Sequence, residues 1–358
     1  MPKEVSHLPL LSSITGLIHR NFLWLLLLAY CLAAIFPNFG LLIRKLELGQ
    51  VHWFDGSRVV ISLPLLMLSF LLFNAGLGIR ARELLGILQK PLVLLIGFLG
   101  NMLVPILLIV SLGGLMHLWH SPDELQNLLV GLALIVSMPI AGSSTAWSQN
   151  ANGNLSLSLG LVFLSTILSP FTTPVILHVF ASLTIGDYSE DLDELAAQGT
   201  NAFMMITVVL PAVLGIFSHF ILGEARTALV KPFLKLANFV VLLLLNYSNA
   251  ATSLPQAFAN PDVDYLLFIL FATIVLCAAA FAAGWLISRL LKCNLGEQAT
   301  LMFSLGMNNN GTGLVLAAAT LSDHPAVLLP MIFYTLVQQV LAALIDRKFF
   351  NIESTEFQ

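Results

Sequence analysis

Three consecutive asparagines, Asn308, Asn309 and Asn310, lie between Gly306-Met307 and Gly311-Thr312-Gly313 inside an otherwise apolar run. A second interruption runs from Ser137 to Thr145 through Pro139, Gly142, Ser143 and Ser144, with Asn150, Asn152 and Asn154 just beyond it. Carboxamides and hydroxyls both donate and accept hydrogen bonds. Their oxygens, with backbone carbonyls freed at a helix break, are hard donors suited to a small cation. The amino ends of broken helices favour an anion. Gly, Ser and Thr alone are also the residues of close helix packing in membranes, but three asparagines in a row exceed what packing uses.

Other chemistry finds little support. All 19 carboxylates fall in loops or at span ends, Glu297 among them about two helical turns before Ser304, so a proton relay is not indicated. His178 and His219 sit near span ends and read as interfacial residues. Ser143 or Ser144 as the nucleophile of an intramembrane hydrolase needs a His or Asp at the same depth, and none is evident. Cys31, Cys277 and Cys293 have neither disulfide-frame nor zinc spacing.

The elements that must hold these residues are membrane helices. Of 358 residues, 58% are hydrophobic and 9% charged, with a mean hydropathy of +0.92. So little charge cannot cover a water-facing surface, and the net charge of −4 implies no nucleic-acid partner. Ten apolar stretches approach the length of about 20 residues that a spanning helix needs: 21–37, 58–78, 91–113, 125–148, 155–182, 199–222, 232–250, 264–288, 297–320 and 325–345. Turn and charge signals separate them, among them Pro37-Asn38, Asn150–Asn154, Asp187–Glu194 and Glu224–Lys231. The runs are continuous rather than alternating, which excludes a β-barrel.

With both termini in the cytoplasm, twelve of the fifteen Lys and Arg face inward, and only Arg44, Lys45 and Arg58 face outward. That is the asymmetry of a multi-pass protein of the cell (plasma or inner) membrane. The N-terminus lacks transit-peptide composition, and Tyr30 before Cys31 argues against a lipoprotein box.

The interrupted stretches are fourth of five and ninth of ten. Matching interruptions in two halves point to a secondary transporter of inverted repeats. The predicted organisation is a cytoplasmic segment 1–20, a first five-helix repeat 21–182, an acidic outer loop 183–198, a second repeat 199–345 and a cytoplasmic tail 346–358. The predicted fold is all-α and polytopic, with helices 4 and 9 discontinuous and crossing near the midplane.

Pro139 through Pro174, with Gly153-Asn154, Ser165-Thr166, Ser169-Pro170 and Pro174, resembles the fourth-to-fifth helix region of the bile acid:sodium symporter family. Gly306-Met307-Asn308-Asn309-Asn310-Gly311 resembles that family's Gly-Met-Gln-Asn-Ser-Gly signature. The likeness spans nearly the whole chain. It implies a panel of helices 1, 2, 6 and 7, a core of helices 3–5 and 8–10, and sodium-coupled uptake of organic anions through a crevice between them. It also implies a first sodium site at Ser144, Thr145, Ser158 and Ser304, and a second at Asn101, Ser304, the carbonyls near Leu305, Met307 and Asn308. Ser304 stands where the family commonly has a bridging Glu, and Val162 where a Thr often completes the first site. Two cations without a carboxylate repel each other, so weak or single sodium binding and uncoupled transport both stay open. Related arsenite carriers usually place a Cys on the fourth helix; Ser137–Thr145 holds none.

The sequence thus predicts alternating-access carriage of a small organic anion, with sodium as the coupling ion and the bilayer as partner. Ser143, Ser144, Thr145, Asn308, Asn309 and Asn310 line the crossing. Asn101 and Ser158 lie beside it, and Asn154 braces the helix 4–5 connection. A sodium-independent or efflux carrier is the alternative. Bile acids, steroid sulfates, short carboxylates and vitamin precursors all fit such a site.

Overall fold

The structure, a computed structural model, describes residues 15–18, 21–54, 56, 58–79, 86, 90–116, 118–197 and 200–350. Lys3, Arg20, Arg80 and Arg82, used above to orient the chain, lie outside the described residues. Helices dominate, and the chain divides into two compact units, one of residues 1–81 and 205–260, the other of 82–204 and 261–358.

In the first unit, α1 (Phe22–Ile35) meets α2 (Asn38–Lys45) at a bend of 91°. The bend falls at Phe36-Pro37, where the proline ring disfavours helical backbone in the residue before it. A hairpin follows, β1 (Glu47–His52) pairing antiparallel with β2 (Arg58–Ser62), Gln50 opposite Val60. Ser62 ends the strand and caps α3 (Leu63–Leu77), its Oγ accepting from the Leu65 amide at 3.4 Å.

Chain return comes through a π-helical turn (Met205–Val209) into α10 (Leu210–Ala250), kinked at Gly223 with φ 74°. That backbone conformation is open to glycine and strained for other residues. A short α11 (Leu254–Ala259) follows. α3 and α10 pack backbone to backbone through two glycines. A Cβ on Gly76 would strike the Ala212 carbonyl, and one on Gly215 the Phe73 carbonyl. Small residues at such contacts let membrane helices approach closely.

The second unit holds α4 (Pro91–Met116), α5 (Pro122–Ser137), α6 (Ser143–Asn150), α7 (Leu155–Ala181), α8 (Asp187–Ala197) and α9 (Thr200–Met204). It continues with α12 (Val263–Leu290), α13 (Leu295–Gly306), α14 (Asn310–Thr320) and α15 (Leu328–Ile345). Leu94, Phe98, Ile140, Leu157, Leu161, Leu301 and Leu305 form one buried cluster, which fastens α4, α7 and α13 around the break after α5. On α4, Leu92, Leu95, Leu99, Leu103, Leu107 and Val110 are exposed. Their steps of three and four residues make one apolar stripe, a face suited to lipid and a liability in water.

Among the described residues, five helices are long and apolar enough to cross a membrane, six if α1 and its bent partner α2 count as one span. Several boundaries differ from the sequence expectation. Residues 58–62 are strand, not the start of a span, because Val59-Val60-Ile61 is β-branched and the segment finds a pairing partner. The expected loop Glu224–Lys231 is helical, since Gly223 makes the bend by itself. The expected acidic loop 183–198 is largely the helix α8. His219 is buried, and its Nδ1 donates to the Leu77 carbonyl at 2.9 Å.

Replacing Gly76 or Gly215 by Ala is expected to destabilise the first unit by about 1–3 kcal/mol, the range for overpacking a tight contact. Gly113→Ala on α4, where a Cβ meets nothing within 4 Å, is the control. Thermal unfolding of detergent-purified variants checks this, with lower midpoints for the first two and an unchanged one for the third.

Candidate functional site

Both polar interruptions break their helices, and the two breaks pair with each other. α5 ends at Ser137, where Pro139 removes a backbone donor and forbids a continuing helix. Extended backbone at Met138 (φ −79°, ψ 148°) leads to the start of α6 at Ser143. α13 ends at Gly306, Met307 is extended (φ −129°, ψ 111°), and α14 starts at Asn310. Ile140 and Asn308 then face each other as an antiparallel bridge. The Ala141 amide donates to the Met307 carbonyl at 2.9 Å, and the Asn309 amide donates to the Pro139 carbonyl at 2.8 Å.

Side chains from neighbouring helices take up further peptide groups of the breaks. The Ile140 amide donates to Ser165 Oγ at 3.1 Å, and the Asn308 amide to Gln338 Oε1 at 3.2 Å. Thr173 Oγ1 donates to the Ser137 carbonyl at 2.8 Å, and Cys277 Sγ to the Gly306 carbonyl at 3.6 Å. The Asn308 side chain is the hub. Its Nδ2 donates to the Ile135 carbonyl at 3.0 Å, and its Oδ1 accepts from Asn101 Nδ2 at 3.1 Å.

The sequence-derived candidates separate into satisfied and unsatisfied groups. Asn101 and Asn308 are joined directly, as are Ser158 Oγ and Thr145 Oγ1 at 3.1 Å. Asn309 caps α14, its Oδ1 accepting from the Thr312 amide at 3.4 Å. Ser143 is exposed at the start of α6. Ser144 and Ser304, on helices α6 and α13 that pack together, are fully buried, and neither hydroxyl has a hydrogen-bond partner among the described residues. The same holds for both ends of the Asn310 carboxamide and for Thr312 Oγ1. Buried polar atoms left unpaired each cost about 1–3 kcal/mol, and a ligand that supplies the missing contacts recovers that energy. As a nucleophile, Ser144 lacks the hydrogen-bonded base that would activate it.

At one end of the unit a charged lock holds the helix starts. Glu297 is buried and forms an ion pair with half-exposed Lys90, whose ammonium the hydrogen bond to Glu297 holds above the usual lysine range. Glu297 Oε2 also accepts from the Asn294 amide at 3.2 Å while Asn294 Oδ1 accepts from the Glu297 amide at 2.9 Å, a reciprocal cap of α13. Asn154 caps α7 and donates from its amide to the Gly296 carbonyl at 3.1 Å. It therefore ties the connection before α7 to the start of α13. Gln338 and Thr173 escaped the sequence reading, and Ser165 and Thr312 entered it only as members of motifs, without a role of their own. A polar residue within an apolar span was the signal that marked the two breaks, and it applies equally to Gln338.

The sequence profile of the SBF-like CPA transporter family matches residues 20–350. The chain belongs to that family. It is similar to the uncharacterized protein YbaS of Bacillus subtilis, 28% identical over 77% of this chain and 85% of the relative. It is also similar to the uncharacterized sodium-dependent transporter YocS of the same organism, 24% identical over 73% of this chain and 75% of the relative. The probable sodium/metabolite cotransporter BASS1 of Arabidopsis thaliana chloroplasts is 23% identical over 82% of this chain and 68% of its own length. These matches accord with the resemblance to the bile acid:sodium symporter family and make the chain a multi-pass membrane transporter rather than an enzyme.

Removing the Asn308 side chain strands the Asn101 amide and loses the bond to the Ile135 carbonyl. Asn308→Ala and Asn101→Ala are each expected to destabilise by about 1–3 kcal/mol. The double variant should fall short of their sum, because both remove the same bond. Unfolding midpoints of the three proteins in detergent check it.

Proposed function

We propose that this transporter carries a small organic anion together with one sodium ion, by alternating access. The observation that carries this reading is the pair of partnerless buried hydroxyls, Ser144 and Ser304, beside the paired breaks. Sodium prefers hard, neutral or anionic oxygens, and Ser144, Ser304, Thr145 and Ser158 offer four hydroxyls on three mutually packed helices. The second expected set is differently placed. Asn308 Oδ1 already accepts from Asn101, and the Met307 carbonyl already accepts from Ala141. An ion there competes with bonds that hold the breaks together. With Ser304 contributing no charge, two ions about 8 Å apart repel by roughly 2 kcal/mol at an effective dielectric of about 20. One sodium, with the charge of the organic anion to balance it, is the favoured load.

The proposed framework is ten spans in two inverted repeats, 21–182 and 199–345, with both termini cytoplasmic in the cell membrane. Support comes from the two breaks, which meet as an antiparallel bridge about matching positions of the two halves. The grouping of helices also agrees: residues 1–81 and 205–260 in one unit, the rest in the other, as a panel-and-core partition requires. The sodium-dependent relatives support the coupling ion. Exposed Ser143 and half-buried Asn309, each at the start of a half-helix, are the residues we assign to the anion.

Uptake of bile acids, steroid sulfates and short carboxylates by proteoliposomes, with and without an inward sodium gradient, tests this. One of these anions should accumulate only with the gradient, with a hyperbolic sodium dependence. Ser144→Ala and Ser304→Ala should raise the half-saturating sodium concentration about tenfold, equivalent to about 1.4 kcal/mol. Equal accumulation with and without sodium refutes coupling, and a sigmoidal dependence in the unaltered protein refutes the single ion.

A further inference from the structure

A groove in the second unit runs between α4 and α12, and the crossing does not use it. Leu108 and Leu112 of α4, Leu132 of α5, and Phe268, Phe271 and Val275 of α12 line an open cavity of about 230 Å³ whose walls are wholly apolar. The lining on α12 extends from Phe268 to Leu276, about 12 Å along the helix. An apolar cavity of about 150 Å³ already stays dry and takes an apolar guest. Phe271 and, beside it, Leu267 are exposed, so the apolar surface continues out of the cavity.

The end nearest Phe268 carries a different chemistry. Trp119, just after α4, stacks on Phe268 with ring centroids 4.1 Å apart and donates from Nε1 to Glu124 Oε2 at 2.7 Å. Tryptophan takes such a place at the level of lipid headgroups. His120 Nε2 lies 3.5 Å from Asp264 Oδ2. A hydrogen bond with Asp264 holds the Asp262 carboxyl above the usual carboxylate range. The Tyr265 phenol lies among Glu124 and Asp262; it is buried, and its Oη has no hydrogen-bond partner among the described residues. Three carboxylates thus gather at one end of the groove. Their partners among the described residues are an indole, an imidazole, the Tyr265 amide and one another. Permanent cations are far off in sequence, with no Lys or Arg between Lys90 and Arg226 or between Lys235 and Arg289.

The combination selects an occupant. An apolar slot takes hydrocarbon, and carboxylates short of a cation take an ammonium that can donate to them. A phospholipid whose headgroup ends in a primary ammonium offers both. An anionic amphiphile meets repulsion at the same place.

We infer that the groove between α4 and α12 binds an acyl chain of phosphatidylethanolamine, with the lipid's ammonium at Glu124, Asp262 and Asp264. This site does not rest on the transport reading. Its inner wall borders groups that hold the breaks. Leu276 lines it, and the next residue, Cys277, donates to the Gly306 carbonyl. Ile109 lines it from α4, about two turns beyond Asn101. Bound lipid braces both helices from outside the crossing.

The test uses the full chain in detergent with dioleoyl lipids of ethanolamine, choline and glycerol headgroup, and reads the unfolding midpoint. The ethanolamine lipid should raise it by about 2 °C or more above the glycerol lipid. The choline lipid, a cation without N–H donors, should fall between them. Glu124→Gln combined with Asp264→Asn should erase the difference among the three. Ala272→Phe, which fills the groove from its own lining, should erase it as well. Leu286→Phe, at an exposed position on α12 outside the groove, should leave it intact. Equal midpoints or the reverse order in the unaltered protein overturn the proposal, and this headgroup series decides it even where a variant fails to fold. A preference that survives either groove variant, or that Leu286→Phe abolishes, overturns it too.

Discussion

Two stretches of backbone that leave the helix inside a membrane protein must find partners for their peptide groups, because lipid supplies none. Here they find each other. The bonds from Ala141 to Met307 and from Asn309 to Pro139 close a two-stranded bridge at the point where α5, α6, α13 and α14 all terminate. Everything proposed for the site depends on that closure. It fixes four helix ends around one point, and it does so with backbone atoms, so the side chains of Ser144, Ser304 and Asn310 remain uncommitted.

Asn308 shows why a carboxamide occupies the centre of this arrangement. It must present a donor to the end of α5 and an acceptor to α4 at once, and Asn does both without charge. A carboxylate there could not donate to Ile135, and a hydroxyl could not span both distances. Charge is instead kept at the helix starts. The buried Glu297 is neutralised by Lys90 and by its cap to Asn294, which anchors α13 without placing a fixed charge at the crossing. The crossing itself is built of neutral oxygens, a condition that favours a single monovalent cation over two.

The sequence made the breaks legible because their residues contradict their surroundings. Pro139, Gly142 and the asparagine run are poor members of a continuous helix, and both breaks occur where they stand. It also identified Asn101 beside Asn308, through the family resemblance rather than through spacing. The hairpin at 47–62 and the helical stretch after Gly223 were not legible. The first depends on two segments finding each other across a turn, and the second on a single residue adopting φ 74°. Hydropathy averages over both. Gln338 and Thr173 were missed because one hydroxyl or carboxamide in an apolar span looks like packing until the peptide it serves is known. The burial of His219 likewise follows from a carbonyl on another helix, which no local pattern reveals.

The central claim is that the paired breaks bind sodium through hydroxyls they leave unsatisfied. Hydrogen–deuterium exchange of the purified protein, compared in sodium and in potassium, addresses it most directly. The account expects sodium alone to slow exchange in peptides covering residues 137–145 and 304–312, and Ser304→Ala to erase that protection. Equal exchange in the two salts, or protection confined to other helices, would contradict it.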